Sequence, residues 1–197
     1  MLIFPSIKYS IKFFVFFTLL LGIIYPLTIY FTGQIFFPEN ANGNLCFKNG
    51  KVIGSYLLGQ KFTSNKYFWS RPSAIDYNPY PSGGSNFSQT SDSLLKLFTK
   101  REKIFIEKNK LPKSIQVPTE MLFSSASGVD PDISEESAMM QAKRVIIARN
   151  FNKLQSEKLI KLISRLSKPA QFGILGNRVV NVLMLNINLD KLNKKNE

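Results

Sequence analysis

From Phe13 to Pro38 the chain carries no charged residue. The centre of this run, FFVFFTLLLGIIYPLTIYF, is long enough to cross a hydrocarbon layer of roughly 30 Å as a helix. Pro26 lies inside it and predicts a kink, which a membrane helix tolerates. Tyr25 and Tyr30 suit the outer interface, and Lys8 with Lys12 stands just before the span. Positive charge favours the cytoplasmic side, so the expected orientation is amino terminus in, carboxyl terminus out. The bias is modest, because Lys48 and Lys51 follow at a distance. A cleaved signal peptide is the alternative, but its apolar region is usually about 7–15 residues. Here the run is longer, and the nearest small-x-small site, Ala41-Asn42-Gly43, lies well beyond its end. The expectation is an uncleaved single-pass anchor in the cell (inner) membrane. Residues 1–12 then form a short cytoplasmic tail, 13–34 the transmembrane helix, and 35–197 an extracytoplasmic α+β (mixed) domain.

Two absences narrow the chemistry of that domain. The chain has no histidine and one cysteine, Cys46. Histidine general bases, Ser–His pairs, histidine ligands and thiolate zinc sites are therefore excluded, and no internal disulfide can form. The net charge is +13. A solvated basic face explains it, and so does an anionic partner. The lysines spread across the latter half and not in one short block, among ordinary amphipathic patterns without stacking aromatics between arginines, so nucleic acid is not an expected partner. Membrane lipid is.

Coarse patterning gives mixed α and β. KVIGSYLLG (51–59) is short, apolar and bounded by glycine, and predicts a strand. A long irregular stretch follows. Asp92 is the expected cap of a helix that places Leu94, Leu97, Phe98, Arg101 and Phe105 on one face. KNKLPKSIQVP breaks that pattern. Residues 127–131, Ser-Gly-Val-Asp-Pro, are turn chemistry. Asp132 or Ser134 can cap the next helix, with Glu135 and Glu136 complementing its dipole. Ala138, Ala142, Val145 and Ala148 form a narrow stripe there, and Gln141 and Arg144 share a neighbouring face. Leu159, Leu162, Ile163 and Leu166 mark a second helix. The final stretch, VVNVLMLNINLDKL, alternates and predicts a half-buried strand, with Leu183, Leu185, Ile187 and Leu189 on one side and Asn186, Asn188 and Asp190 on the other.

The segment YFWSRPSAIDYNPYPSGGSN (67–86) suits neither helix nor strand. Its Ser-Gly-Gly-Ser (82–85) lacks the lysine of a phosphate-binding loop, so a glycine turn is expected at Gly83 and Gly84. Arg71 can pair with Asp76 or stack on a tyrosine such as Tyr77. Asp130 and Asp132 could hold a hard cation, but a turn and a helix cap account for them more simply. Trp69, Arg71, Tyr77, Gly83 and Gly84 make this segment a candidate subunit-contact loop, since packed aromatics and prolines lower the ordering cost of binding.

In order along the chain, GSYLLGQKFTSNKYFWSRPSA, YPSGGSN, VPTEMLFSSASGVDPDISEESAMMQAKRVIIARN and VVNVLMLNINLD resemble the C subunit of the Kdp-type potassium-transporting ATPase. The resemblance spans residues 13 to 190. Val129, Asp132 and the Ser124–Ser125 pair depart from the family pattern, and none of them removes one of its glycines, prolines or arginines. The resemblance implies a noncatalytic accessory subunit of a potassium uptake pump. Its partners would be a P-type ATPase catalytic subunit, a channel-like potassium-translocating subunit and a small accessory subunit. It further implies help in assembly and a catalytic-chaperone role that raises ATP affinity in the catalytic subunit. No covalently bound cofactor is implied, and ATP is associated with the complex. Gln141 and Arg144 are the candidate pair for a nucleotide-linked or partner contact. P-type pumps bind ATP in the cytoplasm, so an outside domain would act on it through its partners, as a coupling free energy. An anchored basic domain for anionic lipid or polymer is the alternative function.

Overall fold

The computed structural model describes residues 3–48 and 50–194. The chain divides into two compact units, residues 1–45 and 46–197.

The first unit is helical. Helix α1 (Ile3–Leu19) runs into a π-turn (Leu20–Ile24) and then helix α2 (Tyr25–Phe36), followed by the short α3 (Pro38–Ala41). The change of helix type has a cause in the sequence. Pro26 has no N–H and its ring crowds the carbonyl four residues back. The turn before it is widened, and the Tyr25 N–H bonds Leu20 O, five residues back. Thr28 Oγ1 and Thr32 Oγ1 donate to carbonyls one turn below, at 2.8 and 2.7 Å, which keeps polar groups paired inside the helix. Ile7–Phe36 has a peak mean hydropathy of 2.1 and is long and apolar enough to cross a membrane.

The second unit opens with a two-stranded sheet, β1 (Leu45–Lys48) and β2 (Lys51–Ser55). The strand expected over 51–59 stops early because Ser55 starts a turn: its Oγ accepts the Leu57 N–H at 3.0 Å and its carbonyl the Leu58 N–H at 3.3 Å. An irregular stretch then runs to α4 (Asp92–Asn109). Asp92 is the first residue of this helix and not its cap; Ser91 occupies the cap position without a side-chain bond. Leu94, Leu97, Phe98, Arg101 and Phe105 turn inward as their spacing requires.

Two three-residue strands, β3 (Asp132–Ser134) and β4 (Val179–Asn181), pair antiparallel with Ile133 opposite Val180. Ser134 caps α5 (Glu135–Ala148) by accepting the Ser137 N–H. Asp132, the other candidate cap, belongs to β3. A full capping box of Asn152 and Gln155 starts α6 (Lys153–Leu166).

The carboxyl-terminal stretch corrects the sequence reading. Only 179–181 is strand, and Val182–Lys194 is helix α7. Val182, Leu185, Leu189 and Leu192 recur at three and four residues, so a helical stripe is hidden within the alternation. Val182, Leu185 and Leu189 are buried and Leu192 partly so. Asn181 Oδ1 accepts the Met184 N–H at 3.0 Å, which turns the strand into the helix. The core gathers Ile133 and Val180 of the small sheet with Val145, Leu159, Ile163, Leu185 and Leu189 of the three helices, and Phe68 from the irregular stretch.

Candidate functional site

Residues 64–69, Ser-Asn-Lys-Tyr-Phe-Trp, have no strand partner, yet Phe68 is fully buried. Buried backbone groups need partners, and here the helices supply them as side chains. Asn186 of α7 acts as a surrogate strand for Phe68: its Oδ1 accepts the Phe68 N–H at 2.9 Å and its Nδ2 donates to the Phe68 carbonyl at 3.0 Å. Gln141 of α5 does the same for Trp69, accepting its N–H at 2.8 Å and donating to its carbonyl at 3.3 Å.

Arg144 completes the clamp. Its Nη1 donates to the carbonyls of Asn65 at 3.0 Å and Tyr67 at 2.9 Å. Its Nη2 reaches Gln141 Oε1 at 2.8 Å, and its Nε reaches Asn109 Oδ1 of α4 at 2.9 Å. The guanidinium carbon lies 3.9 Å from the centre of the Trp69 ring, a cation–π contact. Burial pulls the Arg144 pKa down to about 10. Lys66 is held from outside: Arg149 Nε donates to its carbonyl at 2.7 Å while Arg149 Nη2 pairs with Asp190 at 2.8 Å. Tyr67 Oη also donates to Asp190, at 3.3 Å.

The sequence places Gln141 and Arg144 together, and the structure brings them together facing inward. Gln141 is fully buried and Arg144 is 3% exposed. Asn109, Arg149, Asn186 and Asp190 were not foreseen in this role. Asn186 was expected on an outward face and is buried, because α7 is a helix.

The rest of the loop packs on the turn before β3. Arg71 pairs with Asp130, Nη1 to Oδ2 at 2.6 Å, and not with Asp76. Asp76 has a left-handed backbone and an exposed carboxylate that pairs with Lys61. Tyr77 meets Arg71 through a hydrogen bond rather than a stack, its Oη donating to the Arg71 carbonyl at 2.7 Å. Burial, helped by the neighbouring Asp76 charge, raises the Tyr77 pKa to about 12. Asp130 Oδ1 accepts the Asp132 N–H at 3.0 Å, the turn role expected of it. Burial raises the Asp132 pKa, and the Asp130 charge adds to the rise, against Lys168 and Asn181.

Gly83 and Gly84 lie against the 125–128 turn. The Gly83 N–H bonds Ser127 O at 3.1 Å, and a Cβ on Gly84 would come within 3.3 Å of Ala126 O. Gly128 has a φ of +73°, and a Cβ there would fall 2.5 Å from Ile75, so glycine is required. Between this loop and α4 lies a cavity of about 210 Å³, lined by Phe62, Trp69, Pro72, Tyr77, Arg101 and Phe105 among others. Arg101 is held there by Leu122 O and Ser124 Oγ at 2.8 and 3.1 Å. Among the described residues, no group of three or more acidic, cysteine or histidine side chains could hold a metal. The arrangement fixes the shape of a loop and carries no nucleophile–base pair.

The profile of the family described as KdpC: K+-transporting ATPase, c chain, matches residues 7–191. The chain is similar to the potassium-transporting ATPase KdpC subunit of Mycobacterium bovis, with 43% identity over 178 residues, 89% of this chain and 93% of the relative. It is similar to that of Geobacter metallireducens, with 41% identity over 191 residues, 95% of this chain and 98% of the relative. With that of Flavobacterium psychrophilum it shares 42% identity over 174 residues, 88% and 91% of the two lengths. The chain belongs to the KdpC family, the c chain of K+-transporting ATPases.

Proposed function

We propose that this subunit is noncatalytic, assists assembly of the potassium pump, and raises ATP affinity in the P-type catalytic subunit without binding the nucleotide itself. The observation that carries the reading is the clamp. Gln141 and Arg144 spend their hydrogen bonds on the domain's own backbone, and the Trp69 ring is covered on one side by Arg144. Their part in partner contact is indirect: they fix the 64–69 backbone at the root of the 67–86 loop, and the loop meets the channel-like subunit, the catalytic subunit or the small accessory subunit. A loop already ordered before binding loses less entropy on docking. The domain lies outside the cytoplasm, and its effect on ATP reaches the catalytic subunit through the partners.

The test is the pump purified from membranes with this subunit present or absent. Removal should raise the KM for ATP by about fivefold or more, at the low end of ordinary allosteric coupling. An unchanged KM in a fully assembled complex would sink the chaperone half of the proposal. Loss of the complex itself would support the assembly half. A reporter fused after Glu197 reads the orientation, and activity only in the cytoplasm would overturn the outside placement.

A further inference from the structure

Between α6 and β4 the chain makes a turn whose tip is Phe172-Gly173-Ile174-Leu175-Gly176. Phe172 is 87% exposed, Ile174 82% and Leu175 57%. From 172 to 176 there is no polar side chain. The turn is held by its own backbone: Gln171 and Leu175 exchange N–H···O bonds at 2.8 and 2.9 Å, and Lys168 and Val179 do so at the base, at 2.8 and 3.1 Å. The N–H groups of Gln171, Gly173, Ile174 and Leu175 are thus paired within the turn, while the carbonyls of 172–174 are left for water and headgroups, which suits a shallow interfacial depth and not the hydrocarbon core.

The flank is basic. Lys168 stands at the base of the turn, and the preceding helix carries Lys158, Lys161 and Arg165 around a shallow groove of about 200 Å³ floored by Leu162 and Leu192. Among the described residues, none of these four cations is in an ion pair. We propose that the 171–175 tip inserts into the headgroup–acyl boundary of an anionic bilayer, with Lys158, Lys161, Arg165 and Lys168 meeting the phosphates. Apolar side chains beside uncompensated cations are the chemistry of interfacial lipid binding. A protein pocket would account for the tip but not for Lys158, Lys161 and Arg165, which have no ion pair among the described residues, whereas Lys168 also lies near the Asp132 charge. The chain carries a helix long and apolar enough to cross a membrane, which would keep lipid within its tether. This contact is independent of any effect on ATP.

The experiment uses the full chain in lipid nanodiscs, with Phe172→Cys carrying a nitroxide and Tyr80→Cys, at a position 86% exposed in another loop, as the aqueous control. Cys46 is buried and leaves the introduced thiol as the reactive one. Thermal melting first establishes that each labelled chain is folded. In phosphatidylglycerol discs the ratio of oxygen to nickel-chelate collisions at 172 should exceed that at 80 by about tenfold, as for a probe below the headgroups. The ratio should fall toward the control in phosphatidylcholine discs, and also with Lys158→Glu, Lys161→Glu and Arg165→Glu combined. Equal ratios at 172 and 80 in phosphatidylglycerol overturn the proposal. So does protection of 172 from both reagents, which means a protein pocket, or an equal response in the two lipids.

Discussion

The two halves of the irregular stretch are stabilised in opposite ways. Residues 64–69 are fastened from behind by buried side chains of two helices, Gln141 and Arg144 from α5 and Asn186 from α7, with the buried Asn109 of α4 bracing Arg144. Residues 71–84 are fastened by local turns, glycine contacts and the Arg71–Asp130 pair, whose side chains are 26% and 29% exposed. At Phe68, the buried residue of the first half, a lost side chain strands backbone groups where water does not reach. In the second, water can replace much of what is lost. The same residue type, arginine, is thus worth different amounts where Arg144 of α5 and Arg71 of the loop each fasten one half of the stretch.

Arg144→Ala is the sharpest way to break this comparison. It should destabilise the domain by about 2–4 kcal/mol, because the Tyr67 carbonyl and Asn109 Oδ1 lose a charged donor together. Arg144→Lys should rescue little, since an ammonium cannot span those acceptors as a planar fork does. Thermal melting of the full chain reads both, and a wild-type melting temperature for Arg144→Ala would end the argument. Asn186→Leu comes next, at about 2–3 kcal/mol, because Phe68 keeps an unpaired N–H and C=O inside the core. Arg71→Ala should cost about 1 kcal/mol or less, the scale of a partly exposed pair. If it still weakens assembly of the pump at an unchanged melting temperature, the outer half is the contact surface.

The smallest effect concerns pH. Asp132 has a raised pKa in the folded chain, so folding binds its proton more tightly than the unfolded chain does. Its contribution therefore favours the fold at acid pH and turns unfavourable as pH rises through the unfolded and then the folded pKa. Asp132→Asn should be slightly more stable than the native chain at pH 7, with the gain shrinking on acidification through the carboxylate range. A gain that grows in acid would reverse the assignment.

Much of the scaffold was readable from local chemistry. The helix from 135 to 148 announces itself by Ser134, Glu135 and Glu136, and the one from 153 to 166 by its apolar stripe. The adjacency of Gln141 and Arg144 follows from helical spacing alone. What those side chains hold was not readable, because Phe68 and Asn186 are 118 residues apart and no local pattern pairs them. Residues 182–192 satisfy a two-residue and a 3.6-residue period at once, and the decision falls to packing against α6. Asp76 is nearer to Arg71 in sequence than Asp130, but its left-handed backbone sends the carboxylate outward.

The π-turn at Leu20–Ile24 has a geometric consequence for the anchor. One residue more than an α-turn holds is accommodated there, and each residue of an α-helix advances about 100° around the axis. A stripe of side chains running up α1 therefore does not continue up α2 but resumes on another meridian. The stacked rings of Phe13 and Phe17 belong to the lower register, and the edge-on pair of Tyr30 and Phe31 to the upper. A neighbouring helix following one meridian below Pro26 would lose it above. A helix of this kind presents one face to its surroundings below the π-turn and another above it, like a key cut on adjacent edges.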